Sequence, residues 1–169
     1  MQEDRHKFAL GVESAQRTLG GRRRLQRVTM GGVNRKDLQF LARTRLAEAK
    51  VLLGAGRQDG AYYLAGYAVE CALKACIARG TQRHDFPDKK SVDASYTHNL
   101  RDLVKVANLE LARLEEAKRN PAFRNNWDVV QRWSEQSRYR RHDLGLAQAL
   151  LMAIGDRKHG VLPWIKRHW

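Results

Sequence analysis

Three arginines and a histidine fall within five residues in Arg138-Tyr139-Arg140-Arg141-His142. Arginine stays charged at every physiological pH and offers several N–H donors to phosphate oxygens at once. Arg138, Arg140 and Arg141 are therefore candidate phosphate contacts, and Tyr139 adds a ring on which a base can stack. Nearby Arg132 and Trp133 extend the basic and aromatic cluster. Rings at such positions also suit core closure, so the arginines carry the reading more than the aromatics do. His142 can move protons, but beside Asp143, a helix N-cap by type, a plain structural role accounts for it better.

Two further groups are candidates. Glu70 sits in a run that is otherwise apolar, with Lys74 four residues on in the favoured acid-first order. A carboxylate on a helix with almost no polar face must be paired or reach a rim. Lys74 is its local partner and Arg138 a distant one; a polar ligand pocket is the other reading of the same residues. His98 precedes Asn99 and an apolar run, so it reads as the start of a helix or as a residue lining a site. His and Cys spacing suited to a metal is absent, as is a glycine-rich phosphate loop, so neither metal nor cofactor is expected.

The elements that must hold these groups are helical. From Arg57 to Gly80, Ala61, Ala65, Ala68, Ala72 and Ala75 recur at steps of four and three, a helical period. With Tyr62, Tyr63, Leu64, Tyr67, Val69, Cys71, Leu73, Cys76 and Ile77 around the stripe, this helix must be buried. Asp59 is its expected N-cap and Gly80 its stop. A preceding helix, about Lys36 to Leu53, carries Leu38, Leu41, Leu46, Ala49 and Leu53 on one face, and Gly54-Ala55-Gly56 predicts an antiparallel hairpin. Thr81 to Thr97 reads as a loop with Phe86 gripping the core. A third helix from Thr97 or His98 puts Leu100, Leu103, Val104, Ala107, Leu111 and Leu114 on one face, with Asn108 bending or interrupting it. Asn120-Pro121 stops it. A fourth spans about Pro121 to Trp133, and a last begins near Asp143 with Leu146, Ala147, Leu150, Leu151 and Ile154, followed by Trp164 and Ile165. The expected architecture is an all-α bundle of about five helices with an up-down core.

At 169 residues and 43% hydrophobic the chain can bury one genuine core. Its formal charge of +14 favours polyanionic partners, nucleic acid first among them. No run is long and apolar enough to span a membrane, and no apolar leader opens the chain, so a cytoplasmic protein is expected. Cys71 and Cys76, five apart in a buried helix, read as packing residues. Residues 1–33 differ: Arg22-Arg23-Arg24 and paired glycines predict a basic, disordered N-terminal extension, with Met30 an alternative start of translation.

The run Tyr62 to Ala75 resembles the second helix of the HEPN family of small all-α domains, whose Ala-x-Glu-x-x-x-Lys-Ala pattern matches Ala68, Glu70, Lys74 and Ala75. His98-Asn99-Leu100, Ser137-Arg138-Tyr139 and Gly160-Val161-Leu162-Pro163-Trp164 follow in the family's order, so the resemblance covers about residues 34–169. It implies a HEPN-like helical domain there, acting as a homodimer. It also implies a minimal nucleotidyltransferase as a partner, in a toxin–antitoxin type system. Nuclease members of the family use an Arg and a His separated by four to six residues. Arg138 and His142 have only three between them, although on a helix they would share a face. Arg79 and His84 obey the spacing but straddle Gly80 in the wrong segment, and with 6 His in so Arg-rich a chain a chance match is expected.

These observations converge on a module binding nucleotide or RNA through Glu70, Lys74, His98, Arg138, Tyr139, Arg140 and Arg141, non-catalytic or weakly active. The alternatives are a metal-independent endoribonuclease toxin using Arg138 and His142, and a purely structural interaction module.

Overall fold

Eight α-helices and one 3₁₀ turn make up the protein among the described residues, and no strand occurs there. The structure, a computed structural model, describes residues 32–80 and 89–169. The extension expected over residues 1–33 lies, but for its last two residues, outside these, as do Phe86 and His84. No helix of the described residues is long and apolar enough to cross a membrane.

Helix α1, Arg35–Gly54, starts where the sequence provides a capping box. The Asn34 side chain accepts from the Lys36 and Asp37 N–H groups, and the Asp37 carboxylate accepts from the Asn34 N–H. The helix ends at a tight turn in which Gly56 takes φ +70°, a conformation open to glycine at no steric cost. Helix α2, Gln58–Gly80, follows after three residues and packs along α1. All five alanines of its stripe are fully buried, and small side chains let neighbouring backbones come close. Helix α2 is the central element: α1, α4, the 3₁₀ turn, α7 and α8 all pack on it.

The remaining elements are α3 (Lys89–Ser95), α4 (Leu100–Val106), α5 (Glu110–Arg119), α6 (Pro121–Val130), the 3₁₀ turn Glu135–Tyr139, α7 (Leu144–Gly155) and α8 (Val161–Lys166). Asn120 caps α6 through the Phe123 N–H at 3.0 Å, with Pro121 at the first helical position. Asp143 caps α7 through the Leu146 N–H at 2.7 Å. Phe123, Val130, Leu150, Ile154, Leu162 and Ile165 close the core over Leu73, Leu100 and Leu103. Each such burial contributes roughly 1.5–3 kcal/mol.

Four departures from the sequence reading have local causes. The expected third helix is two: Asn108 takes φ +56°, so the chain reverses between α4 and α5. The helical phase restarts there, with Leu109 buried in place of the continued stripe, and Leu111 and Leu114 end 76% and 42% exposed rather than in the core. Part of the expected loop Thr81–Thr97 is helix α3, whose seven residues carry only Val92 and Ala94 as apolar positions, too few to display a period. Leu146 lies one residue off the buried face of α7 defined by Ala147, Leu150, Leu151 and Ile154, and is 53% exposed. The fourth helix stops at Val130, leaving buried Trp133 in the turn that follows.

Candidate functional site

One stripe of α2, from Asp59 to Lys74, spans about 22 Å at the helical rise and receives the segment between α6 and α7. Gly66 is its narrowest point. A Cβ there would lie 2.2 Å from Trp133 Cγ, so the missing side chain is what seats the indole against the helix. Tyr63, one turn earlier, meets the same ring with centroids 6.2 Å apart.

One turn beyond Gly66, Glu70 is only 2% exposed. Its Oε1 lies 3.0 Å from Lys74 Nζ and 2.9 Å from His98 Nδ1. The other ring nitrogen, His98 Nε2, lies 3.1 Å from Glu135 Oε2. Carboxylates accept and do not donate unless protonated, so a chain with a carboxylate at each end of one imidazole must hold a proton at both ring nitrogens or on a carboxyl group. Glu70 Oε2 is buried and has no hydrogen-bond partner among the described residues.

His98 is thus a bridge between α2 and the 3₁₀ turn. The cap of α4 is Asn99, whose side chain accepts from the Arg101 and Asp102 N–H groups. The helix-start role expected for His98 therefore belongs to its neighbour, because a capping oxygen must accept from backbone N–H groups and His98 is committed elsewhere. Lys74 pairs with Glu70 as the spacing predicts. Arg138 does not supply the distant partner: its guanidinium lies over the Tyr139 ring at 4.9 Å.

A cleft of about 500 Å³ opens beside this bridge, lined by Thr97, His98, Arg101, Gln131, Trp133 and Glu135. A second, of about 330 Å³, shares Arg101 and Gln131 and adds Lys105, Arg113 and Trp127. Arg113 is engaged by Glu110 through two bonds of 3.0 and 2.8 Å, which hold the Glu110 carboxyl below its ordinary range. Arg101 has no carboxylate partner among the described residues.

Arg138, Tyr139, Arg140 and Arg141 are all exposed, and Tyr139 keeps 75% of its surface open. None of the three arginines pairs with a carboxylate among the described residues. His142 lies apart from them in kind. Its ring stacks on Tyr62 at 3.9 Å, its backbone N–H donates to Asp59 Oδ1 at 2.6 Å, and its Nε2 is buried without a partner among the described residues. Burial, opposed by Arg132, holds the Tyr62 hydroxyl above its ordinary pKa. Asp59 therefore sits in the first turn of α2 as an anchor for His142 rather than as the expected N-cap. The 3₁₀ turn that holds Arg138 ends at Tyr139 and Arg140 is extended, at φ −118°, ψ 154°, so the common helical face expected of Arg138 and His142 does not exist. Arg79, half of the other candidate pair, donates to the His168 carbonyl at 2.9 Å.

Glu135, Arg101 and Asp59 escaped the sequence reading as site residues. Nothing in their immediate sequence marks Glu135 or Arg101. Gly66 does carry a signal, since a glycine inside an alanine-rich helix is costly unless something must come close.

Cys71 and Cys76 are free and buried. Burial first, and for Cys71 next the Glu70 charge, pushes each thiol up to about 11, which makes them packing groups and not nucleophiles.

Residues 36–150 match the family model of the HEPN domain, and the match contains the whole site from Glu70 to His142. Neither a curated protein nor a solved structure matches the chain. The family match spans more than half of the 169 residues and agrees with the all-α architecture around α2. The chain belongs to the HEPN domain family.

Proposed function

We propose that this HEPN domain binds nucleotide or RNA, with little or no catalysis of its own, and works as a homodimer. The observation that carries the reading is the exposed stretch Arg138–Arg141, whose three arginines are free of carboxylates and flank an open tyrosine ring. Guanidinium groups held next to a ring suit phosphates and stacked bases together. The overall charge of +14 supports a polyanionic partner. Family resemblance adds a minimal nucleotidyltransferase as partner, in a toxin–antitoxin type system. Pairing of two copies is supported by Phe40 and Val51, exposed on α1 three helical turns apart. Sedimentation at micromolar concentration tests it, and a clean monomer rejects it.

The metal-independent ribonuclease reading has one observation in its favour, the buried and unpartnered Nε2 of His142. The break from the 3₁₀ turn to extended backbone at Arg140 speaks against it. One experiment separates the two. With Arg140→Gln and Arg141→Gln together, RNA affinity falls and its dependence on log salt flattens by about 1.4, at about 0.7 per single-strand phosphate contact. His142→Ala leaves binding nearly unchanged. Cleavage of RNA in EDTA by the wild-type protein, lost in His142→Ala, would instead establish the nuclease.

A further inference from the structure

The cleft beside the Glu70–His98–Glu135 bridge has a polarity that the RNA-binding stretch does not share. Its residues come from two places, the start of α4 and the segment after α6, and they differ in sign. On its lining stands the Glu135 carboxylate, with Oε2 held by His98 Nε2 at 3.1 Å. Glu70, itself anchored by Lys74 at 3.0 Å, fixes the other side of that imidazole. A carboxylate fixed in this way has lone pairs left on both oxygens. The Gln136 amide reaches Oε1 only at 3.4 Å. Arg101 lines the same cleft, exposed, without a carboxylate partner among the described residues, and shared with the second cleft, where Lys105 lies one turn further along α4. Trp133, on the same lining, is 3% exposed and its indole N–H has no acceptor. The cleft thus has fixed acceptors on Glu135 and, on Arg101, a cation with no carboxylate partner among the described residues.

A molecule matching this pattern carries paired N–H donors at one end and an anion at the other. Among nucleotides the paired donors select the base. Guanine presents its ring N1–H and its exocyclic amino group side by side, so both oxygens of one carboxylate are used. Adenine and cytosine present a donor beside an acceptor, and an acceptor facing a carboxylate is repelled. Uracil presents one N–H between two carbonyls. A volume of about 500 Å³ falls within the range of small-molecule sites.

Resting on the nucleotide-binding reading above, we infer that this cleft is a guanine mononucleotide site, with Glu135 reading the base edge and Arg101 taking the phosphate. His98 and Glu70 are positioning residues that hold Glu135. The site is separate from the Arg138–Arg141 stretch, so one domain has both a base-reading cleft and a sequence-tolerant phosphate contact.

Titration of the full-length protein with GMP, IMP, AMP and guanosine, followed by tryptophan fluorescence or NMR, tests the assignment. GMP is expected to bind saturably and at least about tenfold tighter than AMP or IMP, which lacks the amino group, because each hydrogen bond to a charged group counts for that much or more. Guanosine, without phosphate, binds more weakly than GMP. Glu135→Gln erases the preference among bases, and Arg101→Gln makes GMP bind no better than guanosine. The wild-type ligand series decides the matter even if a variant is unstable. Absence of saturable GMP binding, equal affinity for all bases, or a preference that survives Glu135→Gln in a folded protein overturns the assignment. A short oligouridine, titrated in parallel, separates this inference from the broader reading. If it binds through Arg140 and Arg141 while GMP does not, the cleft assignment fails alone; if neither binds, both fall.

Discussion

Glu70 on α2 and His98 ahead of α4, 28 residues apart in the chain, meet at 2.9 Å. The pair is a hinge between core and site. The carboxylate is buried, while His98 is 45% exposed and reaches on to Glu135. Breaking a buried ion pair by removing one partner costs about 3–5 kcal/mol. Here Lys74 and His98 can turn to water when released, so Glu70→Ala should cost less, about 2–3 kcal/mol. Glu70→Gln keeps the shape and one acceptor and should cost about 1–2 kcal/mol. Urea unfolding measures both, and a loss below about 0.5 kcal/mol for Glu70→Ala would show that the bridge does not stabilise the fold.

Gly66→Ala tests the seat of Trp133. The added Cβ would meet three indole atoms at 2.2–2.3 Å, so either the ring leaves or α2 shifts. Overpacking of this kind costs about 1–3 kcal/mol, and Trp133 fluorescence should change with it. Gly54→Ala is the control, since nothing lies within 4 Å of its Cβ position. It should be neutral or stabilising by up to about 1 kcal/mol.

The reversal at Asn108 should depend on tolerance of positive φ. Asn108→Gly is expected to be near neutral, whereas Asn108→Val should lose about 1–2 kcal/mol, because a β-branched residue at φ +56° meets its own carbonyl. Thermal unfolding of the two variants distinguishes them. Equal stability would remove the strain argument.

Thiol chemistry should be silent in the native state. With Cys71 and Cys76 buried and held up to about 11, a disulfide reagent near neutral pH should find no fast-reacting thiol until denaturant is added. A rapid native reaction of either cysteine would contradict their burial.

His168 predicts the direction of one pH effect. Burial first, then Arg167 and Arg79, lowers its pKa below the ordinary 6.5. The unfolded chain then binds the proton more readily than the folded one. Its contribution to stability is complete above 6.5 and declines as pH falls through that value towards the lower folded pKa. His168→Asn should flatten the change in urea midpoint between about pH 7.5 and about pH 5.5. An unchanged slope would assign the effect to other groups.

The long helices and several of their ends were legible from residue order because their causes are local. The alanine period of α2, the stop at Asn120-Pro121 and the cap beside Asp143 act over three or four residues, and each appears where the chain specifies it. The need of Glu70 for a partner was legible too, since a carboxylate in an apolar helix cannot stand alone. Its partner across the fold was not. His98, Glu135 and Arg101 come together because α4 and the segment after α6 both pack on α2, and nothing in their own neighbourhoods encodes that meeting. For the same reason Leu111 and Leu114 mislead: a single positive φ at Asn108 resets the helical phase and turns an apparent core stripe towards solvent. Local hydrogen bonding wrote the elements into the chain. Packing on α2 decided which of their side chains share a site.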